Sequence, residues 1–155
     1  MKTVMFVCSG NVCRSPMAEF IFRELIRQKS MEAVFAADSA GTNVYAPNSP
    51  VHNGTCRELR RRGIPYSQRG SKALLREDYG RCELIIGMER RHVNDMLALF
   101  GGDPDRKCCR LLDFTEHPRD IDDPWYTGDF ITACRDITEG CEALLDHLFG
   151  KGKKK

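Results

Sequence analysis

A chain of 155 residues fits one domain with a single core, since domains cluster around ~100–150 residues. Hydrophobic residues at 41% and charged residues at 30% are ordinary for a water-exposed globular chain, and no apolar run approaches the ~20 residues that span a bilayer, which argues against a membrane role. The formal charge of +2 comes from the end of the chain: without Lys151, Lys153, Lys154 and Lys155, the 24 basic residues fall to 20 against 22 acidic ones, so nothing points to a nucleic-acid partner.

The expected organisation is a domain over residues 1–150 followed by a basic, disordered tail over 151–155. Thr3 to Val7 is too short for the core of a signal peptide and lacks a small-residue cleavage site, so a cytoplasmic location is expected. In that compartment the eight cysteines read as free thiols. No Cys-x-x-Cys pair or zinc-finger spacing is present, so neither a metal nor another cofactor is expected.

In chain order, Lys2 to Val7 reads as a strand buried on both faces, as in parallel sheets. Ser15 offers a helix N-cap, Pro16 the first helical position, and Ala18, Ile21, Phe22, Leu25 and Ile26 recur at helical spacing. Val34 to Ala37 reads as a second strand ending in a turn over residues 38–42, and residues 43–50 as a loop. His52 to Arg62 reads as a helix stopped by Gly63, Leu84 to Met88 as a third strand, and Glu89 to Phe100 as an amphipathic helix closed by Gly101-Gly102. Arg110 to Leu112 reads as a short fourth strand and Asp129 to Phe149 as the last helix. This alternation predicts an α/β fold, a parallel sheet with helices on both faces. In such folds ligands sit at the carboxyl ends of strands, which draws attention to the loops after Val7, after Ala37 and before the last helix.

The segment Cys8-Ser9-Gly10-Asn11-Val12-Cys13-Arg14-Ser15-Pro16 joins the first strand to the first helix and holds the parts of a phosphate cradle. Gly10 and Asn11 tolerate left-handed conformations that turn successive N–H groups inward, and the helix adds its positive end. At the bottom of such a nest the thiolate of Cys8 is favoured as a nucleophile. Arg14 has the planar fork that takes two phosphoryl oxygens at once. Ser15 can direct its hydroxyl either to the thiolate or to a helix-capping N–H.

This segment resembles the phosphate loop of low-molecular-weight protein tyrosine phosphatases, and the likeness extends through residues 38–42, Ile85 to Met88, and Asp122-Asp123-Pro124-Trp125-Tyr126. The resemblance implies a single-domain, flavodoxin-like three-layer sandwich with four parallel strands, and hydrolysis of phosphotyrosine through a phosphocysteine on Cys8. It makes Arg14 the clamp, assigns phosphate binding to the loop from Ser9 to Arg14 (Ser9, Gly10, Asn11, Val12, Cys13), and makes Asp123 the general acid, then base, in preference to Asp122. Ser15 and Ser39 fall at supporting positions, with Ser39 placed to hold Asn11. Tyr45, Trp125 and Tyr126 fall at the aromatic pocket wall. Phosphotyrosine proteins are the implied partners of a monomer or weak dimer.

Two departures stand out. Ser9 replaces a larger apolar residue found in many relatives, and no histidine stands near Arg69 to support the loop. Close spacing of Cys8 and Cys13 allows a reversible disulfide on peroxide treatment, hence redox regulation. Three alternatives stay open. A thioredoxin-coupled arsenate reductase would need further cysteines after the third strand, where Glu89-Arg90-Arg91-His92 has none. A protein arginine phosphatase would carry threonine where Val12 stands. A phosphate-binding or redox-sensing module would have no use for an acid at Asp123.

Overall fold

The computed structural model describes the backbone of residues 1–153 and the side chains of 1–150. The basic tail expected over 151–155 therefore lies, in its side chains and last two residues, outside the described residues.

Strand β1 (Lys2–Cys8) sits at the centre of the sheet because its residues from Val4 onward are buried on both faces. Strands β2 (Phe35–Gly41), β3 (Leu84–Gly87) and β4 (Cys108–Arg110) complete a four-stranded parallel sheet in the order β2-β1-β3-β4. The helices are α1 (Arg14–Gln28), α2 (Asn53–Arg61), α3 (Asp78–Arg81), α4 (Arg90–Phe100), α5 (Pro124–Thr127) and α6 (Phe130–Lys153). Side chains alternate across a strand, so β1 supplies two cores. Val4, Phe6 and Cys8 face a core with Phe22 of α1, Leu59 of α2 and Ile137 of α6, while Met5 and Val7 face Val93 and Met96 of α4. The result is the expected three-layer α/β sandwich. Successive connections leave β1 for β2 on one side and reach β3 on the other, so the crevice at the carboxyl ends of β1 and β3 is the topological switch point.

Several boundaries differ from expectation, each for a local reason. Strand β2 runs on through residues expected to turn, because Met5 to Cys8 pair with Asp38 to Gly41 in unbroken register. Strand β4 ends at Arg110 rather than beginning there. The Asp113 carboxylate accepts hydrogen bonds from Arg110 N (2.9 Å) and Nε (3.0 Å), which bends Leu111–Phe114 into a 3-10 turn whose leucines pack beneath α6. The short helices α3 and α5 have no apolar periodicity to announce them. Helix α1 begins at Arg14, with Cys13 as a cap that uses no side chain; Ser15 is occupied elsewhere. His52 caps α2 through Nδ1, which accepts from Gly54 N (2.9 Å). Glu89 and Asp129 flank α4 and α6 at their starts rather than belonging to them.

Gly41 ends β2 against the loop that follows β1. A Cβ there would lie 2.5 Å from the Ser9 carbonyl oxygen, while Thr42 N and Asn43 N donate to the Cys8 and Ser9 carbonyls at 2.9 and 2.8 Å. Backbone cannot yield as a flexible side chain can. Gly41→Ala should therefore cost about 1–3 kcal/mol of unfolding free energy, measured by urea denaturation, by pushing the two segments apart. An unchanged midpoint would show that the approach is not tight.

Candidate active site

The loop from Cys8 to Arg14 is shaped by where its carbonyls go. Those of Cys8 and Ser9 accept from Thr42 N and Asn43 N, that of Val12 from His52 N (2.8 Å), and that of Cys13 from Thr55 Oγ1 (3.0 Å). In a trans peptide the N–H points opposite the C=O, so outward carbonyls turn the amides of Ser9, Gly10, Cys13 and Arg14 inward. Asn11 supplies the one left-handed residue (φ 59°). Gly10, expected to share that conformation, does not; it lines the cavity, where it adds no side chain.

Asn11 is buried behind the loop rather than in the cavity, and its amide saturates. Nδ2 donates to Ser15 Oγ (2.8 Å) and Ser39 Oγ (3.0 Å), while Oδ1 accepts from Lys72 N (3.0 Å) and Arg69 Nη2 (3.4 Å). Arg69 also donates to Ser39 Oγ (2.8 Å) and pairs with buried Glu19 (3.3 Å), which accepts from Ser39 Oγ (2.6 Å). The support for which the sequence offered no histidine is thus supplied by Arg69 itself. Ser15 Oγ lies 3.0 Å from Cys8 Sγ, and Ser15 N donates to the same sulfur (3.4 Å). With Asn11 donating to its oxygen, Ser15 can direct its own proton to a Cys8 thiolate.

Arg14 is 1% exposed and joins three segments. Nη1 donates to Glu89 Oε2 and to the Ile121 carbonyl (2.6 Å), and Nη2 lies 3.3 Å from Asp123 Oδ2. Its Nε is buried with no partner among the described residues. An unmet buried donor costs ~1–3 kcal/mol, so the Nε–Nη2 edge is poised for an anion's oxygens. Asp123 caps α5: Oδ1 accepts from Trp125 N (3.0 Å), with Pro124 as the first helical residue. Its neighbour Asp122 is exposed and lines a different depression with Thr127 and Asp136.

These groups surround one cavity of about 190 Å³. Cys8, Ser9, Gly10, Val12, Cys13 and Arg14 form its floor and walls, with Asp123 to one side and Tyr45, Trp125 and Tyr126 at the mouth. Trp125 is steadied edge-on by His52 (5.5 Å), which stacks on Phe130 (4.9 Å). Burial first, then the charge of Cys8, pushes the Cys13 thiol up to about 12, so it keeps its proton beside the Cys8 sulfur. All eight cysteines are free. Among the described residues no group of three or more His, Cys, Asp or Glu side chains could hold a metal ion, and no helix is long and apolar enough to cross a membrane.

Residues 3–154 match the family model described as low molecular weight phosphotyrosine protein phosphatase. The chain belongs to this family. It is 40% identical over 147 residues to a low molecular weight protein-tyrosine-phosphatase, YfkJ of Bacillus subtilis, covering 94% of each chain. It is 32% identical to PtpA of Staphylococcus epidermidis, covering 96% of this chain and 94% of that one. The crystal structure of YfkJ superposes with a TM-score of 0.93 over 100% of this chain and 98% of that one, at 38% identity. A YwlE arginine phosphatase structure, at 24% identity and a TM-score of 0.84 over 94% and 95% of the two chains, shares the fold. Members of the family are phosphoric monoester hydrolases.

The loop after β3 was missed by sequence reasoning, although the switch-point rule would have found it. It brings Glu89, Arg91 and His92 to the site. His92 is fully buried; Nδ1 accepts from Glu89 N (3.0 Å) and Nε2 lies 3.0 Å from Ser9 Oγ. Burial, reinforced by the Arg14 charge, pushes His92 down to about 4, so the ring is neutral. Burial would raise Glu89, but hydrogen bonds from Arg91 and Arg14 outweigh it and hold the carboxyl below its usual range.

Two outcomes follow. An unfolded chain protonates histidine near 6.5, whereas the folded one resists until about 4, so the unfolded state binds more protons between those values. Stability is full above pH 6.5 and falls toward pH 4 by about 3 kcal/mol from this residue. Urea denaturation across that range should show the loss, reduced in His92→Gln; an identical slope in the variant would contradict it. Arg14→Lys keeps a charge but loses the fork, and kcat/KM for an aryl phosphate should fall ~10²-fold or more. A loss below tenfold would show that the fork is not used.

Proposed function

We propose that this protein hydrolyses phosphotyrosine in protein substrates, and aryl phosphates generally, through a phosphocysteine on Cys8. The observation that carries the reading is that Cys8, Arg14 and Asp123 line one cavity with an aromatic mouth, with Arg14 keeping a buried Nε that meets no acceptor among the described residues.

The phosphoryl group sits in the inward amides of the loop, with two oxygens on the Nε–Nη2 edge of Arg14. Cys8 Sγ attacks phosphorus as the bond to the aryl oxygen breaks, and the protonated Asp123 carboxyl gives its proton to that oxygen. The Asp123 carboxylate then takes a proton from water as the water oxygen attacks phosphorus and the S–P bond breaks. Inorganic phosphate and the thiolate are released. Charge spreading over the phosphoryl oxygens is met by donors already in place, which is where such reactions gain most of their rate.

Tyr45, Trp125 and Tyr126 are 93%, 60% and 81% exposed and present flat apolar surface at the mouth, which suits a phenyl ring. Val12 adds apolar wall. These features favour an aryl phosphoester over the guanidinium phosphoramidate that an arginine phosphatase would take, and the cytoplasm is the compartment in which such substrates and free thiols occur together.

If Asp123 protonates the leaving oxygen, its loss should matter most for poor leaving groups. Asp123→Asn should slow phenyl phosphate by ~10²–10⁴-fold and p-nitrophenyl phosphate much less. Asp122→Asn should change neither rate appreciably, since its side chain is directed away from the cavity. Equal losses on both substrates for Asp123→Asn would overturn the assignment.

A further inference from the structure

The mouth of the cavity carries a cation that the reaction steps do not use. Arg91 lines the same cavity as Cys8, and its side chain is 55% exposed. It is nonetheless held in place: Nε donates to Glu89 Oε1 (2.9 Å) and Nη2 to Ser9 Oγ (2.9 Å). Two holds on one rigid plane fix its direction, and Nη1 meets no acceptor among the described residues.

Ser9 is equipped for this hold. Because His92 Nδ1 accepts from Glu89 N, the ring proton sits on Nε2, which donates to Ser9 Oγ. The serine oxygen therefore receives both His92 and Arg91, a service that an apolar side chain could not perform.

Two guanidiniums face two carboxylates here, but the carboxylates are drawn mainly inward to Arg14. The single Glu89 carboxylate is divided between Arg14 and Arg91, and Asp123 lies against Arg14. The other residues at the mouth, Asn43, Tyr45, Trp125 and Tyr126, are neutral. What remains at the rim is the Nη1 corner of Arg91, a cationic donor with no acceptor among the described residues, where a substrate's main chain must cross once its phosphorylated ring is inside.

We propose that Arg91, fixed by Ser9 and Glu89, is an anion-recognition point that selects phosphotyrosine segments carrying an aspartate or glutamate beside the phosphotyrosine. The inference rests on the phosphotyrosine reading above. Extended chain advances ~3.3 Å per residue, so a carboxylate one or two residues from the ring remains within reach of the rim. The guanidinium fork matches a carboxylate in shape as well as in sign.

The test uses two phosphotyrosine peptides that differ only in having Glu or Gln on either side of the phosphotyrosine. The wild-type enzyme should favour the Glu peptide by about three- to tenfold in kcat/KM, chiefly through KM, and less at high salt. Arg91→Met should bring the ratio close to one, and Arg91→Lys should retain part of it. Because both peptides are measured on each variant, general damage to the loop cancels from the ratio. Equal use of the two peptides by the wild type, or an unchanged ratio in Arg91→Met, overturns the selection while leaving phosphotyrosine hydrolysis intact. Hydrolysis of neither peptide overturns the activity itself, and the selection with it.

Discussion

A guanidinium that is 1% exposed is costly to bury, and the rest of the site is arranged around that of Arg14. Desolvating such a charge costs several kcal/mol unless partners surround it, and removing one partner of a buried pair commonly costs ~3–5 kcal/mol. Its partners come from separate parts of the chain: Glu89 after β3, the Ile121 carbonyl, and Asp123 before α5. The charge that would clamp a phosphoryl group therefore also fixes the position of Asp123. Satisfaction stops short at Nε, and that shortfall is what leaves the site able to gain from an anion.

A second network, built on Asn11, holds the loop itself. Its left-handed backbone would be disfavoured for most side chains, but its amide receives or gives hydrogen bonds to Ser15, Ser39, Lys72 and Arg69. This network approaches from the β2 side, whereas Arg14 is anchored from the β3 side. The two meet in Ser15, which follows Arg14 in sequence and touches both Asn11 and Cys8. Preorganisation here is a matter of loops tied at both edges of a central strand, with Cys8 at that strand's end.

The sheet was legible because β1 and β3 are apolar runs buried on both faces, and the loop from Cys8 to Pro16 because its residue types serve one chemistry at one spacing. What escaped was polar and distributed. Asp38 and Ser39 look like turn residues, and only pairing with β1 makes them strand. Ser15 could turn its hydroxyl to the thiolate or to a cap, and only the proximity of Cys8 and Asn11 decides for the first. Glu19, Arg69 and Glu89 look like solvated charges in a chain with many, and nothing local reveals that each meets a partner far along the sequence. Nothing local shows that His92 is buried; Glu89 N and Ser9 Oγ meet its two ring nitrogens only in the fold. Long-range polar contacts have no period, which is why the supporting residues were less visible than the ones they support.

Covalent transfer of the phosphoryl group to Cys8 is the step on which the proposed mechanism turns. Rapid acid quench of the enzyme during turnover of an aryl phosphate, followed by peptide mapping under conditions that preserve S–P bonds, tests this directly. The expected result is a burst of aryl alcohol matched by phosphate attached to Cys8, with accumulation of the adduct in Asp123→Ala supplied with a good leaving group. Turnover with no phosphoenzyme in either protein, or phosphate found on Ser9 or Ser15 instead, would contradict it.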